Sequence, residues 1–404
     1  MSPMPDRLVF FFSGFDPKGA NYYHRLQREG AEIRSGLEDG VQVTVGARSK
    51  VDPVASACDV TWSDPVAHAT TRHHYMRWDD VVRRSWTRTP RQLVSDYAHV
   101  YGIGLPGGDF ARIWRKSRAA WGMAIFPLVV AVLSLSIAFT LLFAILRADG
   151  EFGLAGCLAV AIPGAVLIWR MIVRRIDCEW LLRLYAFTQA QAAGSLPQLE
   201  TRMDALADFL VRTVEARLDD ATAPPLREVM LVGYSTGSTV AASVLARALP
   251  RLRPRLAQAR AEALARGEPG PALSVLTLGH CLPIAADWAA AHRVREELRQ
   301  VGDCEEITWH DWSAPADWAA FWRTPPWPDG ARLQGVQRSP RFHAQMTEEA
   351  YRALRRDRRR MHLQYLRPPM RPVPASGYDW FRLTAGPGTL AASPVADAPP
   401  PSPR

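Results

Sequence analysis

Hydrophobic and polar positions along the chain form short apolar runs of strand length, separated by segments with helical spacing of apolar residues. The runs predict buried strands at residues 7–15, 41–46, 59–62, 229–232, 274–279 and 305–309. The spacing predicts helices at residues 19–28, 79–86, 179–184, 199–218 and 239–249. This alternation predicts an α/β fold, a mostly parallel sheet flanked by helices, with reactive groups at the carboxyl ends of the strands.

Two apolar runs are longer than any strand. Ala119 to Leu146 contains no charged residue, and Gly153 to Val173 contains only Arg170, near its end. Because about 20 apolar residues suffice to cross the hydrocarbon core, we expect a transmembrane helical hairpin with a short polar connection. Two core helices of a soluble protein are disfavoured, since the first run is too long and too uniformly apolar.

The hairpin divides the chain. We expect residues 1–118 and 176–390 to form the α/β domain, residues 119–175 to form the hairpin, and the Pro-rich tail, residues 391–404, to be disordered. Basic residues flank the outer ends of both helices: Arg112, Arg115, Lys116, Arg118, Arg170, Arg174 and Arg175. The positive-inside rule therefore predicts a multi-pass membrane protein with both soluble segments in the cytoplasm.

Charge and cysteine content narrow the function classes. The formal net charge is +9, with arginines clustered beside the hairpin and between Arg355 and Arg360. Anionic lipid is the expected partner of these clusters, because the hairpin adjoins them and no nucleic-acid-binding motif accompanies them. The five cysteines form no close pair, so we expect no disulfide framework and no metal site.

The most informative motif is Gly233-Tyr-Ser-Thr-Gly237, between the strand at 229–232 and the helix at 239–249. A serine on a sharp strand-to-helix turn between two glycines is typical of a nucleophile elbow, which exposes the hydroxyl. Ser235 is therefore the candidate nucleophile. Such a serine needs a histidine to take its proton and a carboxylate to orient that histidine.

Two residues are candidates for each partner role. Asp317 is the preferred acid, because it follows a loop proline and begins a helix-like segment; Asp311, the alternative, lies where a turn is expected. His362, with Tyr365 three residues later, is the preferred base, and His343 precedes a predicted helix. His280 and His310 precede or adjoin the acid, so we expect them to be structural.

The developing oxyanion needs two backbone N–H groups. We expect one from Thr236, directly after the nucleophile, and the other from Phe15, in the loop Ser13-Gly-Phe-Asp-Pro-Lys-Gly19 after the first strand.

Together, the elbow, the early Ser-Gly-Phe loop and the late acid and histidine resemble the α/β-hydrolase superfamily, in particular bacterial membrane-associated hydrolases. The resemblance implies Ser235 as nucleophile, Asp317 as acid, His362 as base, and Phe15 and Thr236 as oxyanion donors. The chain departs from the usual His-Gly before the oxyanion residue, having Ser13-Gly14. It also carries the hairpin ahead of the elbow strand.

The expected function is a membrane-anchored serine hydrolase, an esterase or lipase acting on a lipid or other amphiphilic acyl ester through an acyl-enzyme. Such an enzyme needs no cofactor. An acyltransferase would use the same three side chains. A scaffold on an inactive hydrolase fold is the alternative from another class. A channel is disfavoured, because the hairpin offers no interior acid or base apart from Arg170.

Overall fold

The computed structural model describes residues 6–86 and 89–394. Its centre is a twisted sheet of apolar strands. The strands are β1 (Arg7–Phe12), β2 (Gln42–Val45), β3 (Ser49–Asp52), β4 (Ala55–Ser63), β5 (His68–Met76), β6 (Glu228–Tyr234), β7 (Ala272–Leu278), β8 (Ile307–Trp312) and β9 (Gln334–Arg338). Their order across the sheet is β2-β4-β5-β1-β6-β7-β8-β9, with β3 pairing to β4.

The six neighbouring strands β5, β1, β6, β7, β8 and β9 run parallel to one another. At the other edge, β2 and β3 pair antiparallel to β4, and β4 pairs antiparallel to β5. The sheet is therefore mixed at one edge and parallel in its larger part, as the alternation of elements predicts. Loops after β1, β6, β7 and β8 all leave from the same edge, here called the carboxyl edge.

Helices cover both faces. They are α1 (Ala20–Ser35), α2 (Asp79–Trp86), α3 (Pro90–Gly104), α4 (Asp109–Lys116), α5 (Arg118–Asp149), α6 (Leu154–Ile176), α7 (Glu179–Ala192), α8 (Pro197–Asp219), α9 (Gly237–Ala265), α10 (Pro283–Ala286), α11 (His292–Gly302), α12 (Glu348–Arg356), α13 (Arg358–Leu363) and α14 (Trp380–Ala385).

Alternation along the strands divides the core into two layers. In β1, Leu8, Phe10 and Phe12 pack with the hairpin side of the molecule, including α7, α8 and α9. Val9 and Phe11 face the opposite side, where α1, α13 and α14 pack. β1 is thus covered on both faces, as is β6, which is why these central strands are continuous apolar runs.

The helices α5 and α6 are long and apolar enough to cross a membrane, with 32 and 23 residues. They pack against each other, and α5 also contacts α4 and α7. Large apolar side chains such as Leu133, Ile137, Leu141 and Leu167 are exposed on their outer faces. This exposure distinguishes them from the buried core helices of a soluble domain.

Several elements differ from the sequence expectations. The residues 59–62 belong to the longer β4, and β5 is absent from the predictions although it lies beside β1 in the sheet. The turn expected at Asp311 is wrong, because this residue lies inside β8, and the helix expected to begin at Asp317 is an irregular loop. Of the tail predicted at 391–404, residues 395–404 lie outside the described part; Pro394 accepts a hydrogen bond from Arg338.

Candidate active site

The turn at Ser235 is a strained strand-to-helix connection. Ser235 has φ +57°, a left-handed conformation that costs a non-glycine residue about 1–2 kcal/mol. Its N–H donates to Leu278 O at 3.0 Å, which ties the turn to the end of β7. A Cβ on Gly233 would overlap Ser238, and one on Gly237 would overlap the carbonyls of β1. Both glycines of the motif are therefore required by close backbone approach.

Asp317 and His362 form a hydrogen-bonded pair although 45 residues separate them. His362 Nδ1 is 2.7 Å from Asp317 Oδ2, and the side chains are 17% and 2% exposed. The buried carboxylate accepts the proton on Nδ1, which assigns Nε2 as the basic nitrogen. Among residues 6–86 and 89–394, no hydrogen-bond partner reaches His362 Nε2.

This pair lies beside the elbow. The ring of His362 packs at a tilt of 33° against Tyr234, the residue before Ser235, with centroids 5.1 Å apart. The Tyr234 hydroxyl donates to His362 O at 3.1 Å. Gly279, which follows β7, passes so close that a Cβ there would lie 3.2 Å from Asp317 Oδ2. Three loops of the carboxyl edge thus bring the preferred serine, acid and histidine into one region.

The Ser235 hydroxyl itself contacts Cys281. Its Oγ is 3.5 Å from Cys281 Sγ, and within the described ranges no hydrogen bond joins it to His362. Cys281 Sγ also donates to Ala319 O at 3.3 Å, and burial raises the pKa of this thiol to about 12. The thiol is therefore protonated at neutral pH. Cys281 is a neighbour that the sequence did not identify.

The two expected oxyanion residues contact each other. The N–H of Phe15 donates to Thr236 Oγ1 at 2.6 Å, so in this structure that donor is engaged by the neighbouring loop. Gly14 lies against Ser235, where a Cβ would be 2.9 Å from the Ser235 Cβ. The Phe15 ring packs on Phe187 of α7, with centroids 4.8 Å apart. The loop after β1 is thus held over the serine from two sides.

Tyr365 contacts the loop that carries Asp317. The sequence identifies this residue only as an aromatic near His362. Its hydroxyl accepts a hydrogen bond from Ala314 N at 2.8 Å, in the loop that carries Asp317. Burial, together with the negative charge of Asp317, raises the pKa of Tyr365 well above its ordinary value. The phenol therefore stays neutral beside the carboxylate.

The alternative residues have other partners. His343 is exposed in a 3-10 turn, with its ring against Tyr351 at 5.9 Å. Asp311 is buried and accepts from Thr277 Oγ1 at 2.8 Å and Gln337 Nε2 at 3.1 Å, and burial raises the pKa of its carboxyl. His280 Nε2 lies 3.0 Å from Thr324 O, and burial lowers the pKa of His310 to about 4. Within the described residues, neither His343 nor Asp311 forms a hydrogen bond with Asp317 or His362.

The base of the hairpin is attached at the same edge of the sheet. Arg112 of α4 donates to Asp287 O at 2.7 Å, and Lys116 pairs with the Asp287 carboxylate at 2.8 Å. Asp287 directly follows α10, which begins two residues after Cys281. Tyr185 of α7 donates to Ala120 O in α5 at 3.2 Å. The candidate site therefore lies next to the point where the chain enters the hairpin.

Within the described ranges, no group of three or more acidic, histidine or cysteine side chains is arranged to hold a metal ion. Comparisons with protein-family models, with curated proteins and with solved structures found no match to this chain.

Proposed function

We propose that the chain is a membrane-anchored serine hydrolase on an α/β-hydrolase-like fold, with Ser235, His362 and Asp317 as its catalytic residues. The observation that carries the proposal is the left-handed Ser235 at the end of β6, beside a buried Asp317–His362 hydrogen bond of 2.7 Å. Nucleophilic catalysis requires a basic nitrogen near the nucleophile and a group that orients it. His362 Nε2, which no hydrogen-bond partner reaches within residues 6–86 and 89–394, and the buried Asp317 carboxylate match these roles.

The mechanism follows from these atoms. His362 Nε2 takes the proton of Ser235 as Oγ attacks the acyl carbonyl carbon, and Asp317 stabilises the resulting imidazolium. The negative oxygen of the tetrahedral intermediate accepts hydrogen bonds from the N–H of Thr236 and from the N–H of Phe15, which it shares with Thr236 Oγ1. The alcohol leaves with the proton from His362, and a water activated by the same nitrogen hydrolyses the acyl-enzyme. With another alcohol in place of that water, the same steps transfer the acyl group.

The position of the hairpin supports an amphiphilic substrate. Two exposed apolar helices of spanning length join the domain at the carboxyl edge, through the contacts of Asp287 with Arg112 and Lys116. We infer that α5 and α6 span the membrane with the α/β domain on the cytoplasmic side, as the arginines at their outer ends favour. A lipid or other amphiphilic acyl ester in the adjacent leaflet is then the substrate nearest to Ser235.

One observation favours a second candidate, a membrane scaffold that binds without turnover. The Ser235 hydroxyl contacts Cys281 Sγ at 3.5 Å, whereas catalysis requires its proton to be transferred to His362. In the hydrolase, a rotation about χ1 of Ser235 must bring Oγ from Cys281 to His362. In the scaffold, this rotation is not needed.

Labelling with a fluorophosphonate tests the proposal. The full chain in neutral detergent should be labelled at Ser235, and Ser235→Ala should abolish labelling. His362→Ala should slow it by about 100-fold or more, the usual contribution of a general base. His343→Ala is the matched histidine control and should label like the wild type, because His343 lies outside the site.

The acids form a second matched pair. Asp317→Asn should slow labelling strongly, since it removes the charge that orients His362, whereas Asp311→Asn should leave the rate near that of the wild type. A folded wild-type protein that takes no label would instead support the scaffold.

A further inference from the structure

The short helix α13 connects three parts of the molecule. His362, the proposed base, lies near its end. Arg358, at its start, places its guanidinium 3.9 Å from the ring centroid of Trp318, next to Asp317. Arg359 pairs with Asp177 and lies over Trp180, both directly after α6. A ligand bound to the exposed side of α13 would therefore contact the same helix that carries His362.

That exposed side is strongly basic. Six arginines and one aspartate lie between residues 352 and 360. Arg355 and Arg356 are exposed, and nothing in residues 6–86 and 89–394 forms an ion pair with them. Arg174 and Arg175, at the end of α6, are also exposed and make no ion pair within those ranges. These four residues together with Arg358 are called the basic surface.

The basic surface continues the membrane-facing end of the hairpin. Arg174 and Arg175 follow the apolar part of α6, and Asp177, the C-cap of α6, holds Arg359. Trp318 is 46% exposed beneath Arg358, and Trp180 lies beneath Arg359. Arginine and tryptophan at the end of an apolar helix are typical of the headgroup level of a bilayer.

We propose that the basic surface binds anionic phospholipid headgroups and thereby holds α13, with His362, against the leaflet that contains the substrate. This inference rests on the proposed membrane insertion and deepens the proposed function, since it places the substrate in an anionic leaflet. Within residues 6–86 and 89–394 none of these five guanidinium groups forms an ion pair. Guanidinium groups match phosphate geometry, and their number gives the charge complementarity that such a leaflet requires.

Lipid retention measured by native mass spectrometry tests the proposal without relying on turnover. The full chain in neutral detergent is offered phosphatidylglycerol or phosphatidylcholine of the same acyl chains. The wild type should retain phosphatidylglycerol preferentially, and added NaCl should weaken this preference. Arg355→Gln with Arg356→Gln should reduce the preference about ten-fold or more, and Arg174→Gln with Arg175→Gln should act in the same direction.

Two controls separate charge at this surface from charge in general. Arg253→Gln with Arg255→Gln removes two arginines about 25 Å along α9 from the elbow and should leave the preference unchanged. Arg355→Lys with Arg356→Lys keeps the charge and should retain most of it. No preference in the wild type, or an equal loss in the α9 control, would overturn the proposal.

The outcomes also separate this inference from the proposed function. Ser235→Ala should retain phosphatidylglycerol like the wild type, because Ser235 is not one of the residues of the basic surface. Preferential retention by a wild type that takes no fluorophosphonate label would refute the hydrolase and leave the lipid surface standing. Normal labelling without preferential retention would refute the lipid surface alone.

Discussion

At the residue scale, the chain concentrates unusual conformation and unusual pairing around one serine. Ser235 holds a left-handed backbone between two glycines that the close packing requires. His362 is oriented by a carboxylate that is almost fully buried. Such strain persists only where surrounding contacts fix it, and here β1, β7 and α9 all contact the turn.

Removing the hydroxyl of Thr236 tests how the loop over Ser235 is held. Thr236→Val keeps the shape of the side chain but deletes the acceptor of the Phe15 N–H, whose 2.6 Å bond joins the loop after β1 to the elbow. Losing such a bond costs about 1–1.5 kcal/mol, so fluorophosphonate labelling should slow about ten-fold. Thr236→Ser, which keeps the hydroxyl, should label within about two-fold of the wild type. Equal rates in all three proteins would contradict a positioning role for Thr236.

At the element scale, the sequence predicts what is local and misses what depends on distant partners. The strand, turn and helix of the elbow are contiguous, so their apolar pattern and glycines identify them directly. The strand β5 was missed because it carries three histidines, an arginine and two threonines. Its burial between β1 and β4 becomes visible only in three dimensions. The preference for Asp317 over Asp311 depends, at the level of sequence, on a nearby loop proline and a helix-like segment. The structure distinguishes the two by their partners, because Asp317 contacts His362 and Asp311 contacts Thr277.

Gly279 shows how one loop positions the acid. It has φ +53°, and a Cβ would lie 2.5 Å from Tyr365 Cε2, the side chain that supports the Asp317 loop. Gly279→Ala should therefore lower the free energy of unfolding by about 2–4 kcal/mol, through backbone strain and overpacking together.

Gly330→Ala is the matched control for this change. Its φ is +77°, but open space surrounds the position of the new Cβ, so only the backbone cost of about 1 kcal/mol is expected. Thermal unfolding in detergent measures both variants. Equal losses would show that the contact with Tyr365 contributes nothing beyond the left-handed backbone.

At the scale of the whole molecule, a buried network of polar side chains joins the first strand, β1, to β6 and to the last described residues of the α/β domain. Arg7 of β1 pairs with Glu228 of β6 at 2.8 Å, and both side chains are fully buried. Glu228 also accepts from Ser274 Oγ at 2.6 Å and from Leu390 N at 2.8 Å, while Arg7 donates to Leu383 O. This buried network joins the chain before the hairpin to the chain after it, so the two soluble segments form one domain.

Breaking this network should be costly. Glu228→Gln leaves Arg7 as an unpaired buried charge, which we expect to lower the free energy of unfolding by about 3–5 kcal/mol. Glu305→Gln is the control, because its pair with Arg332 is exposed and such pairs contribute about 1 kcal/mol or less. Denaturant unfolding of both variants in detergent measures the difference. A loss in Glu228→Gln no larger than in the control would show that the two segments are held together elsewhere.

The pH dependence of stability provides a last test of the packing around β5. Burial lowers the pKa of His73 and of His74 to about 3 each, with Arg7 adding to the effect at His73 and Arg72 at His74. Because the unfolded chain binds these protons near pH 6.5, stability is unaffected above that pH and is lost as pH falls towards 3. At pH 5 each histidine should lower the free energy of unfolding by about 2 kcal/mol relative to neutral pH. The His74→Gln side chain cannot be protonated. Between pH 7.5 and pH 5 the free energy of unfolding of this variant should therefore fall by about 2 kcal/mol less than that of the wild type, as measured by denaturant unfolding at both pH values. Parallel curves for the two proteins would mean that His74 takes up its proton in the folded state, and hence that β5 is open to water.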